Sequence, residues 1–218
     1  WNCDWSSDVC SSDLTQTLVR RKLEFAQSGE VKTVLMDIDG LALLNCFMET
    51  QGRMTGQTVA ILNVGSSCAT LAILGDDNLP FVRDILHAGD SIIAEIANAK
   101  NLSRQQVRQI LINEGCTSGK LGAEVVQKAY EKLTGDVNDT LRFYTAQQKT
   151  AFINKIYVCG GFALMKGFVD ILAGRLSVKV FLWNPFDRIG CPGAQYKDVI
   201  EKYGPAFAVA AGLAMRRI

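Results

Sequence analysis

The sequence contains only one histidine, His87, and its seven cysteines stand singly, without a CxxC pair. Zinc sites and nucleophile–histidine arrangements need closely spaced groups of these kinds, so neither is indicated. His87 has no Ser or Cys at motif spacing and is interpreted as a loop residue near a hinge. Isolated cysteines in helix and strand contexts are typical of a reducing cytosol, where Cys is a small buried hydrophobe.

Charge of one sign and long apolar runs are also scarce. The formal net charge is +1, and because nucleic-acid binding needs a concentrated basic surface, no nucleic-acid partner is expected. No segment approaches the ~20 apolar residues that span a bilayer. The longest candidate, residues 205–215, is rich in Ala and Gly and predicts a packed helix. With 48% hydrophobic residues, the chain is expected to be globular with one or two cores.

Residues 1–14 differ from the rest of the chain. Residues 4–14 (DWSSDVCSSDL) resemble the translation of a DNA-sequencing adapter and lack the basic start and apolar run of a signal peptide. We predict that residues 1–14 are a non-native leader, that Cys3 and Cys10 are foreign, and that the natural chain resumes near Thr15 without the part that preceded it.

Residues 15–55 predict a short mixed segment. Its expected elements are a helix over 15–27, a buried strand over 33–38 and a helix from Asp39 to about Gln51. Asp37 and Asp39 would share one face of a strand and could form a carboxylate pair. A helix cap and a junction between domains is the favoured interpretation.

From residue 56 the apolar period changes to two, and helical patterns follow later. The predicted strands cover 58–64, 69–74, 80–86, 155–158 and 178–183, and the predicted helices cover 91–100, 107–113, 122–149, 164–175 and 203–217. Gly-containing turns separate the first three strands, which predicts an antiparallel meander. Ser103 and Gln106 predict a capping box. The element order favours an α/β layered domain.

The first glycine turn of chemical interest is Asn63-Val-Gly-Ser-Ser-Cys-Ala-Thr70. Gly65 permits positive φ and leaves no Cβ in the way of an anion. Ser66 and Ser67 place hydroxyls beside successive backbone N–H groups, a pattern typical of a phosphate nest. A plain hairpin turn without a ligand is the alternative.

The second glycine turn lies at the end of one predicted strand and the start of a helix, in Val158-Cys-Gly-Gly-Phe-Ala-Leu-Met-Lys-Gly167. Gly160 and Gly161 would let a flat ring or a ribose lie against the backbone, and the helix start favours negative charge. Lys166 could attract phosphate. The turn lacks the G-x-G-x-x-G spacing, and residues 115–120 (GCTSGK) fail as a Walker loop.

The order of these two turns, separated by a helical insertion, resembles half of the nucleotide cleft of actin-like ATPases. Several motifs further resemble the PilM family of type IV pilus assembly proteins. The matching segments are Asp37–Leu43 (close of the first domain), Asn63–Ser67 (second phosphate loop), Arg83–Ile85 with Gly89–Asp90 (entry to the insertion), Thr140–Tyr144 ("RSLdYY"), Cys159–Gly167 (adenosine turn), Asn184–Asp187 ("NPF") and Ala206–Arg216 ("avAiGLAlR").

This resemblance implies an actin-like (ribonuclease H-like) ATPase domain over residues 56–218, with a helical insertion at about 90–150. It implies that residues 15–55 are a remnant of a first domain. It also implies ATP and Mg²⁺ as cofactors of the intact protein. The implied cofactor-binding residues are Asn63, Gly65, Ser66, Ser67, Gly160, Gly161 and Phe162.

Two departures from the family pattern modify these expectations. Asn63 stands where the family usually has Asp, and an amide lacks the charge that orders Mg²⁺ and activates water. We therefore expect ATP binding with slow or absent hydrolysis. Because the family's first phosphate loop lies near the natural start, the sequence is expected to hold half a cleft and to bind ATP poorly alone.

The resemblance also implies a partner and a location. PilM proteins are cytoplasmic, lie under the inner membrane and dock the cytoplasmic tail of PilN mainly through the first domain, so no docking residues are assigned. A homo-oligomer is left open. Alternatives are an actin-fold enzyme, such as a sugar kinase or activator ATPase, which would need a carboxylate at Asn63. An FtsA-like filament protein would have a basic amphipathic C-terminal helix, which residues 203–217 do not predict.

Overall fold

The computed structural model describes residues 16–52, 57–75, 77–148, 152–190 and 193–216. These residues form two compact units that divide between Ile38 and Asp39. The predicted leader, residues 1–14, lies outside the described residues. The predicted domain limits at residues 55 and 56 remain a prediction.

In residues 16–38, the described part of the first unit, there is one helix, α1 (Gln16–Ser28), as the apolar spacing predicts. The predicted strand over 33–38 is wrong, because residues 31–38 have no regular secondary structure and are exposed or half-buried. The described part of this unit contains no second strand, so a strand here would leave its backbone N–H and C=O groups unpaired. The carboxylate pairing of Asp37 with Asp39, which required that strand, loses its basis.

The second unit is built on a five-stranded sheet of order β3-β2-β1-β4-β5. Its strands are β1 (Val59–Val64), β2 (Ala69–Leu74), β3 (Pro80–Ile85), β4 (Lys155–Cys159) and β5 (Lys179–Leu182). The first three pair antiparallel, which confirms the predicted meander. β4 pairs parallel with β1 and with β5. The sheet is therefore mixed, and β1 at its centre joins the meander to the later part of the chain.

Helices cover both faces of this sheet. They are α2 (Asp39–Gln51), α3 (Gly89–Lys100), α4 (Arg104–Asn113), α5 (Ala123–Gln147), α6 (Phe168–Arg175), α7 (Lys197–Tyr203) and α8 (Ala208–Ala214). On one face Ile61 and Ala72 of the sheet pack with Leu43 and Phe47 of α2 and with Ala208 of α8. The opposite face contributes residues such as Leu62 and Leu71 to a larger core that includes residues of α3, α4, α5 and α6. None of the described helices is both long and apolar enough for a membrane span.

Two of the predicted helices differ from those in the structure: one begins later than predicted, and the other is divided. The helix predicted over 164–175 starts only at Phe168, because a 3₁₀ turn over Phe162–Leu164 and a left-handed Gly167 (φ 83°) precede it. The helix predicted over 203–217 is divided into α7, a 3₁₀ turn over Gly204–Phe207, and α8. Pro205 explains this break, since it lacks the N–H that would donate to a carbonyl of α7 and continue the helix.

The predicted capping box of α4 is confirmed. The backbone N–H of Gln106 donates to Ser103 Oγ at 3.2 Å. The backbone N–H of Ser103 donates in return to Gln106 Oε1 at 2.8 Å. Both contacts satisfy N–H groups that the first turn of a helix cannot pair by itself.

Candidate functional site

The hairpin turn between β1 and β2 is closed by one backbone hydrogen bond, from the N–H of Gly65 to the C=O of Cys68 at 3.0 Å. Gly65 does not have a positive φ, so that part of the sequence argument is wrong. It is a tight position instead, because an added Cβ would lie 3.0 Å from the Cys68 oxygen. Ser66 and Ser67 are exposed.

The carbonyls of this turn are held by the start of α3. The N–H of Gly89 donates to the Gly65 oxygen at 3.2 Å, and the N–H of Asp90 donates to the Ser66 oxygen at 2.7 Å. The N–H groups of Ser66 and Ser67, in contrast, donate to no acceptor among the described residues. A turn whose carbonyls are satisfied and whose successive N–H groups are free can bind an anion.

The second turn follows β4 and depends on Gly160. This residue is buried with a φ of 97°, in the region that favours glycine. Its N–H donates to the Pro205 oxygen at 2.9 Å. An added Cβ would collide with the carbonyl oxygen of Val64 and would lie 2.6 Å from Asn63 Oδ1. Gly160 therefore allows the β4 turn to contact the end of β1 directly.

Gly161 has the opposite environment. It is exposed, its φ of −64° suits any residue, and an added Cβ would meet no atom within 4 Å. The fold therefore does not require glycine here. Open space beside bare backbone is what a bound ligand would occupy.

The sheet brings the two turns together. β1 and β4 run parallel, with Asn63 in register with Cys159, so the turns leave adjacent strands at the same edge. The Cys159 thiol donates to Asn63 Oδ1 at 3.8 Å. Burial raises the pKa of Cys159 far above its usual value, and Cys46 raises it further, so this thiol stays protonated. The Asn63 NH₂ group has no acceptor among the described residues and can donate to a ligand.

The Phe162 side chain is placed differently from the other residues implied by the resemblance. It is 6% exposed and packs inside the core, with its ring edge-on to Phe168 at 5.4 Å between centroids. Lys166 is exposed and lies in the loop before α6, rather than in the first turn of a helix. The structure thus gathers Asn63, Gly65–Ser67 and Gly160–Gly161, while the Phe162 ring points elsewhere. Their binding role remains a prediction.

Two polar residues that the sequence analysis did not assign lie in one cross-strand row with Asn63. Asn63, Thr70 and Asp84 are consecutive partners across β1, β2 and β3. The Thr70 hydroxyl donates to Asp84 Oδ1 at 2.7 Å. Burial raises the pKa of the Cys68 thiol, and the nearby carboxylates of Asp84 and Asp39 raise it further. The strand register places these groups together, and only the correct pairing of three strands could have shown it.

Two further titratable side chains, His87 and Cys46, are buried. His87 lies in the loop between β3 and α3, with Nε2 at 3.4 Å from the Ala129 oxygen and 3.6 Å from Glu95 Oε1. Burial raises the pKa of Cys46 to about 11. In the part of the chain that is described, no three His, Cys, Asp or Glu residues form a metal-binding group.

The chain is similar to known proteins both in sequence and in fold. A family profile described as type IV pilus assembly protein PilM matches residues 7–218. A chain of a PilM–PilN type IV pilus biogenesis complex is similar, with 23% identity and a TM-score of 0.79 over 92% of this chain and 58% of that chain. The present sequence therefore spans well under two thirds of that protein.

Two further solved structures share the fold. Ethanolamine utilization protein EutJ from Carboxydothermus hydrogenoformans has 14% identity and a TM-score of 0.66, over 93% of this chain and 62% of its own. MreB 5 of Spiroplasma citri, bound to AMPPNP, has 14% identity and a TM-score of 0.63, over 94% of this chain and 65% of its own. The predicted α/β, actin-like fold class is confirmed.

Proposed function

This chain belongs to the family of type IV pilus assembly protein PilM, and we propose that it acts as a nucleotide-binding assembly protein of a type IV pilus machine. The nucleotide is ATP, bound at the edge of the sheet where the two glycine turns meet. The intact protein docks an inner-membrane partner and itself remains cytoplasmic.

The contact between the two turns carries this proposal. Gly160 lies against Asn63 and Val64 so closely that no side chain fits between them. On one side of this contact the Ser66 and Ser67 N–H groups are free, and on the other Gly161 borders open space. Phosphate oxygens fit the first and an adenosine fits the second. MreB 5 of Spiroplasma citri, which shares this fold, was solved with AMPPNP bound.

The residues present also fit Mg²⁺, but weakly. Mg²⁺ commonly binds one or two carboxylates together with substrate phosphates and keeps several waters. Asp84 supplies a carboxylate in the row that contains Asn63, although the Thr70 hydroxyl already uses one of its oxygens. Bound Mg²⁺ would neutralise phosphate charge. Asn63 is neutral, its oxygen accepts from Cys159, and it offers donors instead of a charge. We therefore propose that hydrolysis is slow or absent.

The partner is proposed from the matched complex. That complex contains PilM and PilN, and we propose that the intact form of this protein docks the cytoplasmic tail of a PilN-like inner-membrane protein. Such docking would place a protein peripherally at the membrane through its partner. The first domain, which the sequence resemblance implies for this contact, would also supply the other half of the nucleotide cleft.

Substitution of Gly161 by leucine tests the nucleotide site. The fold accepts a side chain there, so Gly161→Leu should keep the melting temperature while a fluorescent ATP analogue binds the intact protein at least ~tenfold more weakly. Gly174→Leu is the matched control, since an added Cβ at Gly174 also meets no atom within 4 Å. Gly174 lies near the end of α6, which leads to the start of β5. The start of β5 lies at the opposite end of the parallel strands from the two turns. Unchanged affinity in Gly161→Leu would exclude the assigned site.

A further inference from the structure

The Phe162 ring is anchored in the core from several sides. It is 6% exposed, and its centroid lies 5.4 Å from that of Phe168 and 6.4 Å from that of Tyr130. A ring in these surroundings offers no open face on which a base could stack. Any effect of the Phe162 ring on a ligand must therefore pass through another residue.

The residue that the ring contacts on the site side is Gly89, the first residue of α3. An added Cβ at Gly89 would lie 2.5 Å from Phe162 Cδ2, closer than real Cβ atoms approach other atoms, and 3.0 Å from Cγ. Gly89 does not have a positive φ, so its backbone conformation does not require glycine. The ring is what excludes a side chain at this position.

Gly89 in turn holds the hairpin turn. Its N–H donates to the Gly65 oxygen at 3.2 Å, and the next N–H, of Asp90, donates to the Ser66 oxygen at 2.7 Å. Because these carbonyls are directed to the start of α3, the N–H groups of Ser66 and Ser67 remain available. The Asp90 side chain also accepts a hydrogen bond from Arg108 Nη2 of α4 at 2.7 Å, in an exposed ion pair.

We propose that Phe162 and Gly89 form a positioning pair that joins the two turns of the site. Phe162 directly follows the β4 turn in the sequence, and its ring sets the distance between that turn and the start of α3. The start of α3 then fixes the Gly65–Ser67 turn in the orientation that presents its N–H groups to phosphate. The pair does not touch the ligand. This inference rests on the proposed nucleotide site.

The contact itself can be tested without any ligand. In Gly89→Ala and in Phe162→Leu, the Asp90 amide should exchange hydrogen roughly tenfold faster than in the wild type, because the bond to Ser66 is loosened. Phe168→Leu is the matched control. It removes similar core packing against the same ring but leaves the contact with Gly89, so the exchange of Asp90 should change no more than that of the core amides.

Binding then tests the positioning role. In the intact protein, Gly89→Ala and Phe162→Leu should each weaken ATP binding roughly tenfold and adenosine binding much less, because the phosphate turn is displaced. The double variant should bind ATP within about threefold of the wild type, since the smaller leucine makes room for the new methyl group. Two substitutions that only weakened the core would add instead of compensating.

The outcomes separate the two hypotheses. If the wild-type intact protein binds no ATP, the proposed function fails and the positioning role fails with it. If ATP binds but Gly89→Ala changes neither Asp90 exchange nor affinity, only the positioning pair is refuted. An additive loss in the double variant, or equal losses for ATP and adenosine, also refutes it.

Discussion

Replacement of Gly160 by alanine should destabilise the second unit strongly. An alanine at a φ of 97° leaves the allowed region for side chains, which costs about 1–3 kcal/mol. The new methyl group would also collide with the Val64 oxygen and lie 2.6 Å from Asn63 Oδ1. Such overpacking costs about 1–3 kcal/mol. The two effects overlap in part, so we expect a loss of roughly 3 kcal/mol in the free energy of unfolding.

Thermal and urea unfolding followed by circular dichroism measure this loss. A loss of roughly 3 kcal/mol corresponds to a melting temperature lowered by about 6–12 °C for a chain of this size. Gly161→Ala is the control, because its φ of −64° and open surroundings accept alanine. It should change stability little or raise it by about 0.4–1 kcal/mol. If Gly160→Ala melts within 2 °C of the wild type, or both variants lose equally, the assigned contact between the turns is wrong.

Two further predictions concern charge at the same face of the sheet. Asn63→Asp adds a carboxylate in the row that contains Asp84, and in the intact protein it should raise Mg²⁺-dependent phosphate release from ATP by roughly tenfold or more; equal rates with and without Mg²⁺ would contradict this. Burial raises the pKa of Cys46 from 9.0 to about 11, so the folded protein holds this proton more tightly than the unfolded chain does. The free energy of unfolding should therefore be undiminished by this group below pH 9 and should fall as the pH rises toward 11. In Cys46→Ala, the urea midpoint of unfolding should fall less steeply with rising pH than in the wild type. Parallel curves for the two proteins would contradict the burial argument.

The sequence predicted elements whose signals are local. The meander strands alternate and are bounded by glycine turns, and the Ser103–Gln106 capping box lies within four consecutive residues. The strand predicted over 33–38 is wrong because the apolar composition of these residues gives no information about a pairing partner. The single helix predicted over 203–217 is wrong because the prediction followed the small-residue pattern and did not account for Pro205, which breaks the helix.

Less of the site could be predicted, because its geometry depends on contacts between distant residues. The two glycine turns were found from their composition, yet the reason for each glycine was visible only in the structure. Gly160 is needed for contact with β1, whereas Gly161 is not needed by the fold at all. The direction of the Phe162 ring depends on packing, and the alignment of Asp84 with Asn63 through Thr70 depends on strand register, which no local pattern encodes.

The parallel pairing of β1 with β4 joins residues that are 96 positions apart at Asn63 and Cys159. A hairpin such as β1–β2 closes within microseconds, but a partner so distant arrives only after a large loss of chain entropy. During synthesis β1 must therefore remain an open edge until the helical insertion and β4 have emerged. Because both glycine turns flank this same pairing, the proposed nucleotide site forms only when β4 joins β1. Partly folded molecules would then be unable to hold nucleotide, so ligand occupancy would report on finished folding.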